Sequence, residues 1–376
     1  MPDALAKGLR NVYLDETEAS FIDGEKGILL YRGYSIHDLA PNCSFEEVAY
    51  LMLYGSLPNS EGLGAFDRRL RSQRALPAAV IDAVRIVAKT HPMDVLRTAV
   101  SALAAFDPDV ADESPEADLR KSERLTVQVP SIVTAHHRIR NGLEPVAPRD
   151  DLDHAANFIW MLTGEEPSEE ATSAMNLDFI LHCEHGANAS SFAARVTAST
   201  LSDLHSDIVT AIGTLKGPLH GGAAESVMKM ALEIGEPERA SEYVKERQRH
   251  RESRIMGFGH RVYKVEDPRA RHMRERSQAL SQRMGQAKWY EILEAVVQEM
   301  SRYQRHGIHV NVDFYAGSVY YLLGIPEDLF VPIFAIGRVP GWCASVVEQL
   351  QNNVLIRPLL RYVGPYDLQY EPVAQR

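Results

Sequence analysis

Cysteine is scarce in this 376-residue chain. The three present, Cys43, Cys183 and Cys343, are odd in number, far apart and never in a C-x-x-C pair. That argues against a disulfide framework and a cysteine zinc site, and it fits a reducing, cytoplasmic compartment. Positive charge is in deficit as well: 40 Lys and Arg stand against 51 Asp and Glu, a formal net charge of -11. Non-specific nucleic-acid binding runs on counterion release by Lys and Arg, so nucleic acid is not an expected partner. The first twenty residues contain no apolar h-region, and no secretory signal is expected. The longest apolar stretch, Leu329 to Gly337, is broken only by Pro332 and is far too short to span a bilayer, so no membrane partner is expected. Internal repeats of about 20–50 residues and low-complexity tracts are lacking.

Strand signals are few too. The clearest is Ala19 to Tyr31, where Phe21-Ile22 and Ile28-Leu29-Leu30-Tyr31 flank the hairpin dipeptide Asp23-Gly24. What remains is helical periodicity and 45% hydrophobic content, enough for sizeable cores and two or three domains. Ser44-Phe-Glu-Glu47 is a capping box opening a helix over Phe45 to Tyr54, with Gly55 and Pro58 as stop signals. Asp153 to Gly164 predicts a second capped helix. Ser168 opens a third that runs out near Gly186. Further helices are predicted at 91–105, 224–234, 240–250, 270–282, 287–302, 314–323 and 341–351. The polar segment 107–124 reads as a connection between helices. These signals give a mostly α protein with one small N-terminal β-hairpin.

Three histidines sit beside glycines: His185 before Gly186, His220 before Gly221-Gly222, and His260 after Gly257-Phe258-Gly259. A lone histidine is ordinarily a core or surface residue. A flanking glycine permits unusual backbone and close ligand approach, and three such sites in a short span point to a functional cluster. Gly217-Pro-Leu-His-Gly-Gly222 is not followed by Gly-Lys-Ser/Thr, and Gly257-Phe-Gly259 lacks the third glycine of a dinucleotide fingerprint. His182 and His185 stand at i, i+3, but no H-E-x-x-H and no convincing carboxylate ligand accompany them, so no metal is expected. Asp313 lies among apolar neighbours, where it is either a helix N-cap or a general base. Arg269, Arg338 and Arg357 stand in apolar company and call for carboxylate partners, internal or on a substrate. From Glu236 to Arg276 basic residues crowd the chain: Lys245, Arg247, Arg249, Arg251, Arg254, Arg261, Lys264, Arg269, Arg271, Arg274 and Arg276. They form either a solvated face or a local positive field for an anion.

Together these motifs resemble the citrate synthase family. The resemblance is carried by Leu181-His-Cys-Glu-His-Gly-Ala-Asn-Ala-Ser190, Leu215-Lys-Gly-Pro-Leu-His-Gly-Gly-Ala223, Met256-Gly-Phe-Gly-His-Arg-Val-Tyr-Lys264 with Asp267-Pro-Arg269, and Asn311-Val-Asp313. It extends to Phe21 through Gly33 and His91 through Arg97 near the start, and to Asn352-Asn353, Ile356-Arg-Pro358 and Tyr362-Val-Gly-Pro365 near the end. It implies an all-α, two-domain fold, with a large domain over 1–221 and 325–376 and a small, mobile domain over 222–324. It implies condensation of acetyl-CoA with oxaloacetate, no cofactor, and a homodimer, with higher homo-oligomers left open. His220 resembles the histidine that bonds the thioester carbonyl, Asp313 the base that takes the methyl proton, and His260 the histidine that polarises the ketone. His185, Arg269 and Arg338 resemble oxaloacetate-binding residues, and Arg357 the arginine contributed across the dimer interface. Lys264, Arg261 and Gly257 are the expected CoA contacts. The chain resembles the family's shorter members, without the added N-terminal region for NADH. Departures include Glu184 where Asp is frequent, Gly186 where Glu is frequent, and Val310 for a frequent Pro. The same motifs serve 2-methylcitrate synthase, which uses propionyl-CoA. A non-catalytic CoA-binding or assembly-forming module and a metal hydrolase are the readings from other classes.

Overall fold

The computed structural model describes residues 5–9, 12–249 and 254–376. Among them are 16 α-helices and one three-stranded antiparallel sheet. The hairpin pairs Ser20 with Tyr31 and Asp23 with Ile28. A third strand, Tyr34–Ser35, adds to Ile28–Tyr31 and extends the expected hairpin into a small sheet. Its two residues are too few to leave a periodic signal.

The capping box at Ser44 is formed in both directions. Ser44 Oγ accepts from the Glu47 amide at 3.2 Å, and Glu47 Oε2 accepts from the Ser44 amide at 2.7 Å. Helix Phe45–Tyr54 follows and ends at Gly55 in the left-handed conformation. The second expected helix is His154–Thr163, capped by Asp153 and Gly164. The third stops earlier than expected, as Glu169–His182, so residues 183–188 form a turn.

Two sequence expectations need correction. Residues 115–124 are not a connection. They begin a 26-residue helix, Pro115–Arg140, capped by Ser114. Its polar first turns are packed because their charges are paired: Lys121 with Asp118 at 2.9 Å, and Arg124 with Asp107 and Asp109 at 2.6 Å each. The helix expected at 341–351 starts at Phe330 and runs to Gln351. Pro332 falls in its first turn, where a missing N–H costs nothing, and Pro340 is accommodated in the interior. By length and composition Glu327–Gln351 could cross a membrane, but 94% of its apolar window is buried inside the fold. It is the core helix, packed against Pro115–Arg140, Glu169–His182, Ala189–Ala198 and Leu204–Leu215.

Helices Ala223–Ile234, Ala240–Arg249, Pro268–Arg283, Ala287–Met300 and Asp313–Leu322 pack mainly on one another. They touch the rest of the chain chiefly where Pro268–Arg283 meets Glu169–His182 and Ile36–Asn42, and where Ala223–Ile234 meets the core helix. The chemistry-bearing segments lie near these junctions.

Candidate active site

His220 sits in the turn between helices Leu204–Leu215 and Ala223–Ile234, held by amide bonds His220 to Gly217 O at 2.8 Å and Gly221 to Leu215 O at 3.1 Å. Its Nε2 accepts from the Ser190 amide at 3.3 Å and lies 2.8 Å from Ser190 Oγ. A backbone N–H can only donate, so the neutral ring carries its proton on Nδ1. Ser190 is fixed in turn by the buried Trp342, whose indole N–H donates to Ser190 Oγ at 3.0 Å. Burial, aided by the Arg338 charge, holds the imidazole down at about 4. At neutral pH His220 is an uncharged donor.

His260 has the opposite tautomer. Its Nδ1 accepts from the Val262 and Tyr263 amides at 3.0 and 3.2 Å, which leaves the proton on Nε2. Burial and then the Arg269 charge hold it at about 4. Its ring centroid lies 5.0 Å from that of His185 and 4.8 Å from that of Tyr263. His185 Nε2 lies 3.1 Å from the Tyr263 hydroxyl, and its pKa falls well below the ordinary value through burial, Arg269, His260 and Arg338.

The loop that carries His260 is tied to the segment before Asp313. Phe258 forms an isolated bridge with Val310, Gly259 N donates to His309 O at 2.7 Å, and Asn311 N donates to Gly257 O at 3.0 Å. Gly257 is required here. It has φ +76°, and a Cβ would stand 2.5 Å from the Phe314 ring. The hairpin braces the same loop, through Lys264 N to Gly24 O at 2.8 Å.

Asp313 opens helix Asp313–Leu322 but does not cap it. Val312 holds the cap position and no side chain caps the first turn. Asp313 Oδ1 is buried and accepts no hydrogen bond in the protein. Burial raises its pKa, against the pull of His182 and Arg269. A buried carboxylate without donors is a stronger base than a solvated one. The N-cap alternative is thereby excluded.

Arg269 and Arg338 are both buried. Arg269 makes a two-pronged pair with Asp267, Nε to Oδ1 at 3.0 Å and an Nη to Oδ2 at 2.7 Å. Burial opposes its charge, but Asp267 outweighs burial and the net direction is up. Arg338 Nε donates to the His182 carbonyl, and its guanidinium lies 4.7 Å from the Phe334 ring centre. Burial lowers its pKa, and Glu184 opposes that. Arg269, its charge shared with Asp267, and Arg338 both lie close enough to act on His185, and Arg269 also acts on His260.

The core helix brings these groups together by close approach. A Cβ on Gly341 would come 2.0 Å from Cys183 O and 2.6 Å from Glu184 Oε2. Only glycine lets the 183–188 turn lie flat on that helix. Glu184 is thus buried, with Oε1 accepting from Ser20 Oγ at 3.2 Å and Oε2 unpartnered. Burial raises its carboxyl to about 7, opposed first by Arg338. The folded value exceeds the ordinary 4.5, so this residue's contribution to stability is fully present below that value and lost as pH rises through 7. Glu184→Gln is expected to be more stable than wild type at about pH 8, by up to roughly 3 kcal/mol, and to flatten the decline in Tm between about pH 5 and 8. Thermal melts across that range check it. A variant that melts below wild type at the alkaline end would show that the ionised carboxylate stabilises Arg338 instead.

The remaining sequence candidates are placed differently. Lys264 and Arg261 are exposed and enter no ion pair among the described residues. Arg357 is exposed on an extended C-terminal segment, apart from the buried arginines. Much of the basic stretch is neutralised internally: Arg274 by Glu266 at 2.9 Å, Arg247 by Glu233 at 3.1 Å, Arg269 by Asp267. Arg251 lies outside the described residues. Among those described, no three His, Cys, Asp or Glu side chains are grouped to hold a metal ion. Cys183 is buried with its thiol pushed up by burial. Sequence reasoning missed Tyr263, Asp267, Ser190 and Trp342. The first three lie inside the quoted motifs, but Trp342 carries no local signal because its partner Ser190 is distant in the chain.

The family profile described as "Citrate synthase, C-terminal domain" matches residues 8–359. The chain is 46% identical to a citrate synthase of Haloferax volcanii, over 100% of both chains. It is 44% identical to 2-methylcitrate synthase 1 of Corynebacterium glutamicum, over 98% of both. The crystal structure of citrate synthase from Pyrobaculum aerophilum superposes with a TM-score of 0.94 at 44% identity, covering 99% of this chain and 95% of that one. A citrate synthase from Thermoplasma acidophilum, solved as a ternary complex with carboxymethyl coenzyme A and oxaloacetate, superposes with a TM-score of 0.94 at 33% identity, over 99% of this chain and 100% of that one. An all-α fold, a full-length match and a shared set of motifs converge: the chain belongs to the citrate synthase family and is one of its condensing acyltransferases.

Proposed function

We propose that this enzyme condenses acetyl-CoA with oxaloacetate and water to give citrate and CoA. The observation that carries the reading is the division of labour among three part-buried groups. Asp313 offers an unpartnered carboxylate oxygen, while His220 and His260 are pinned as neutral donors through Nδ1 and Nε2. A methyl beside a thioester is a very weak acid. Asp313 takes its proton only if negative charge on the thioester oxygen is stabilised as it forms, and the His220 N–H does this. The enol attacks a ketone whose oxygen gains charge, which the His260 N–H stabilises. Arg269 and Arg338, with His185, hold the dianion so that the two carbons meet. Residues 222–324 form the small domain whose closure excludes water, and Lys264, Arg261 and Gly257 lie on its CoA side. Three free thiols suit a cytoplasmic enzyme.

Relatives named 2-methylcitrate synthase at 44% identity favour a second reading, with propionyl-CoA as the thioester. One methylene changes pocket binding by about 1–3 kcal/mol, or roughly 10–200-fold. Thiol release with oxaloacetate and each thioester decides it. A kcat/KM ratio of at least about tenfold for acetyl-CoA is expected, and a preference for propionyl-CoA would overturn the citrate assignment.

The working unit is a homodimer on this reading. The C-terminal segment leaves Val354, Leu359, Leu360 and Val363 exposed, with Leu360 at 96%, and Arg357 among them. Such a run of apolar side chains needs cover, and a second copy supplies it while receiving Arg357. Arg357→Ala and Asp313→Ala subunits, each inactive alone, are expected to regain activity when mixed into hybrid dimers. No recovery would place Arg357 in its own subunit's site.

A further inference from the structure

Four histidines border the site, and three of them, His185, His220 and His260, have one ring nitrogen engaged as described. His182 differs. It is fully buried. Its Nδ1 lies 3.0 Å from the Asp178 carbonyl and 3.1 Å from Asp178 Oδ1. Beside a carbonyl, which can only accept, Nδ1 carries the proton. Nε2 is then a bare lone pair, buried and without a hydrogen-bond partner in the protein. Asp178 is itself fully buried, and its Oδ1 also accepts the Tyr320 hydroxyl at 2.6 Å. Tyr320 lies on the helix that Asp313 opens, about two turns along the same face. The His182 ring centroid is 4.5 Å from that of Phe334, whose ring also neighbours the Arg338 guanidinium at 4.7 Å and the His220 ring at 6.5 Å. A buried carboxylate–imidazole pair with an open Nε2, on the wall shared with the enolising groups, has the geometry of a general base.

The reaction requires one. After enolisation Asp313 holds the methyl proton and is a carboxylic acid. His220 and His260 face the substrates as donors. The thioester must still be hydrolysed, and of the four imidazoles only His182 presents an unengaged acceptor.

We propose that His182, oriented by Asp178, is the general base of the hydrolytic half-reaction. This rests on the condensing function proposed above. As the oxygen of water bonds to the thioester carbon, one O–H bond breaks and its proton passes to His182 Nε2. The tetrahedral intermediate then collapses. The carbonyl re-forms, the C–S bond breaks, and its electron pair leaves on sulfur. The imidazolium returns the proton to the thiolate, and the product carboxylic acid ionises to solvent. Asp178 balances the imidazolium while it lasts and acts as a positioning residue.

The test separates the two halves of the reaction in His182→Gln and Asp178→Asn. Formation of the hydroxyacyl-CoA intermediate is followed by rapid quench with oxaloacetate and the thioester the wild type prefers. Hydrolysis is measured on chemically prepared citryl-CoA or its 2-methyl counterpart. In His182→Gln hydrolysis is expected to fall on the order of 100-fold or more, with formation changed less than about threefold, so the intermediate accumulates. Asp178→Asn is expected to slow hydrolysis by about tenfold and to shift its pH profile. Hydrolysis within about threefold of wild type, or an equal fall of both halves, would overturn the assignment. Should His182→Gln fail to fold, Asp178→Asn and the wild-type pH profile decide, and hydrolysis independent of pH would count against it. A wild type that hydrolyses the prepared intermediate but forms none would sink the condensing reading, and His182 would then be judged by hydrolysis alone.

Discussion

Replacing Asp313 with alanine is expected to lower condensation kcat by on the order of 10³-fold while oxaloacetate binding stays within about threefold of wild type. The split follows from where the charges sit. On the proposed reading the keto-acid is held by Arg269, Arg338 and His185, none of which bonds to Asp313. Asp313 Oδ1 has no partner to leave stranded when it is removed. Its loss also removes a buried carboxylate whose ionised form burial disfavours, so the fold is not expected to suffer. The check is a thiol-release assay beside calorimetric titration of oxaloacetate. Turnover near the wild-type rate would place the base elsewhere. A matching loss of oxaloacetate affinity would show instead that Asp313 organises the keto-acid pocket.

Gly341→Ala is expected to carry the largest structural cost of any single methyl added at the site. The new carbon would stand 2.0 Å from Cys183 O, a backbone atom with no side-chain freedom to retreat. Either the core helix or the 183–188 turn must move. Overpacking of this kind costs about 1–3 kcal/mol, and the upper end applies where backbone meets backbone. The displaced turn carries Glu184 and His185, so KM for oxaloacetate is expected to rise about tenfold or more while the His220–Ser190 bond persists. Thermal melting and steady-state kinetics read the two effects. An unchanged Tm with normal KM would mean that the helix slides without cost and that the close approach does not position the site.

The architecture was legible wherever short-range signals existed. Caps at Ser44, Asp153 and Gly164 marked helices that the structure places there, and Asp23-Gly24 marked the hairpin. Helix Pro115–Arg140 was hidden because its first turns are charged. Lys121, Arg124 and their carboxylates look solvated until pairing buries them. The core helix was hidden from Phe330 to Pro340 because proline and glycine punctuate it. Both failures share a cause: packing against distant segments overrides local preference.

The same division holds for chemistry. Sequence alone determined the family and marked the residues proposed to carry the reaction, because His220, His260 and Asp313 lie in long, ordered motifs. Only the tertiary structure decided the state in which each is held. Two amides fix His260 to donate through Nε2, and the Ser190 amide fixes His220 to donate through Nδ1. Asp313 Oδ1 is left without a donor, and a two-residue spacing becomes a two-pronged Asp267–Arg269 pair. The reason is physical. A tautomer, a desolvated charge and an ion pair depend on what surrounds a group in space, and neighbours in space are mostly remote in the chain.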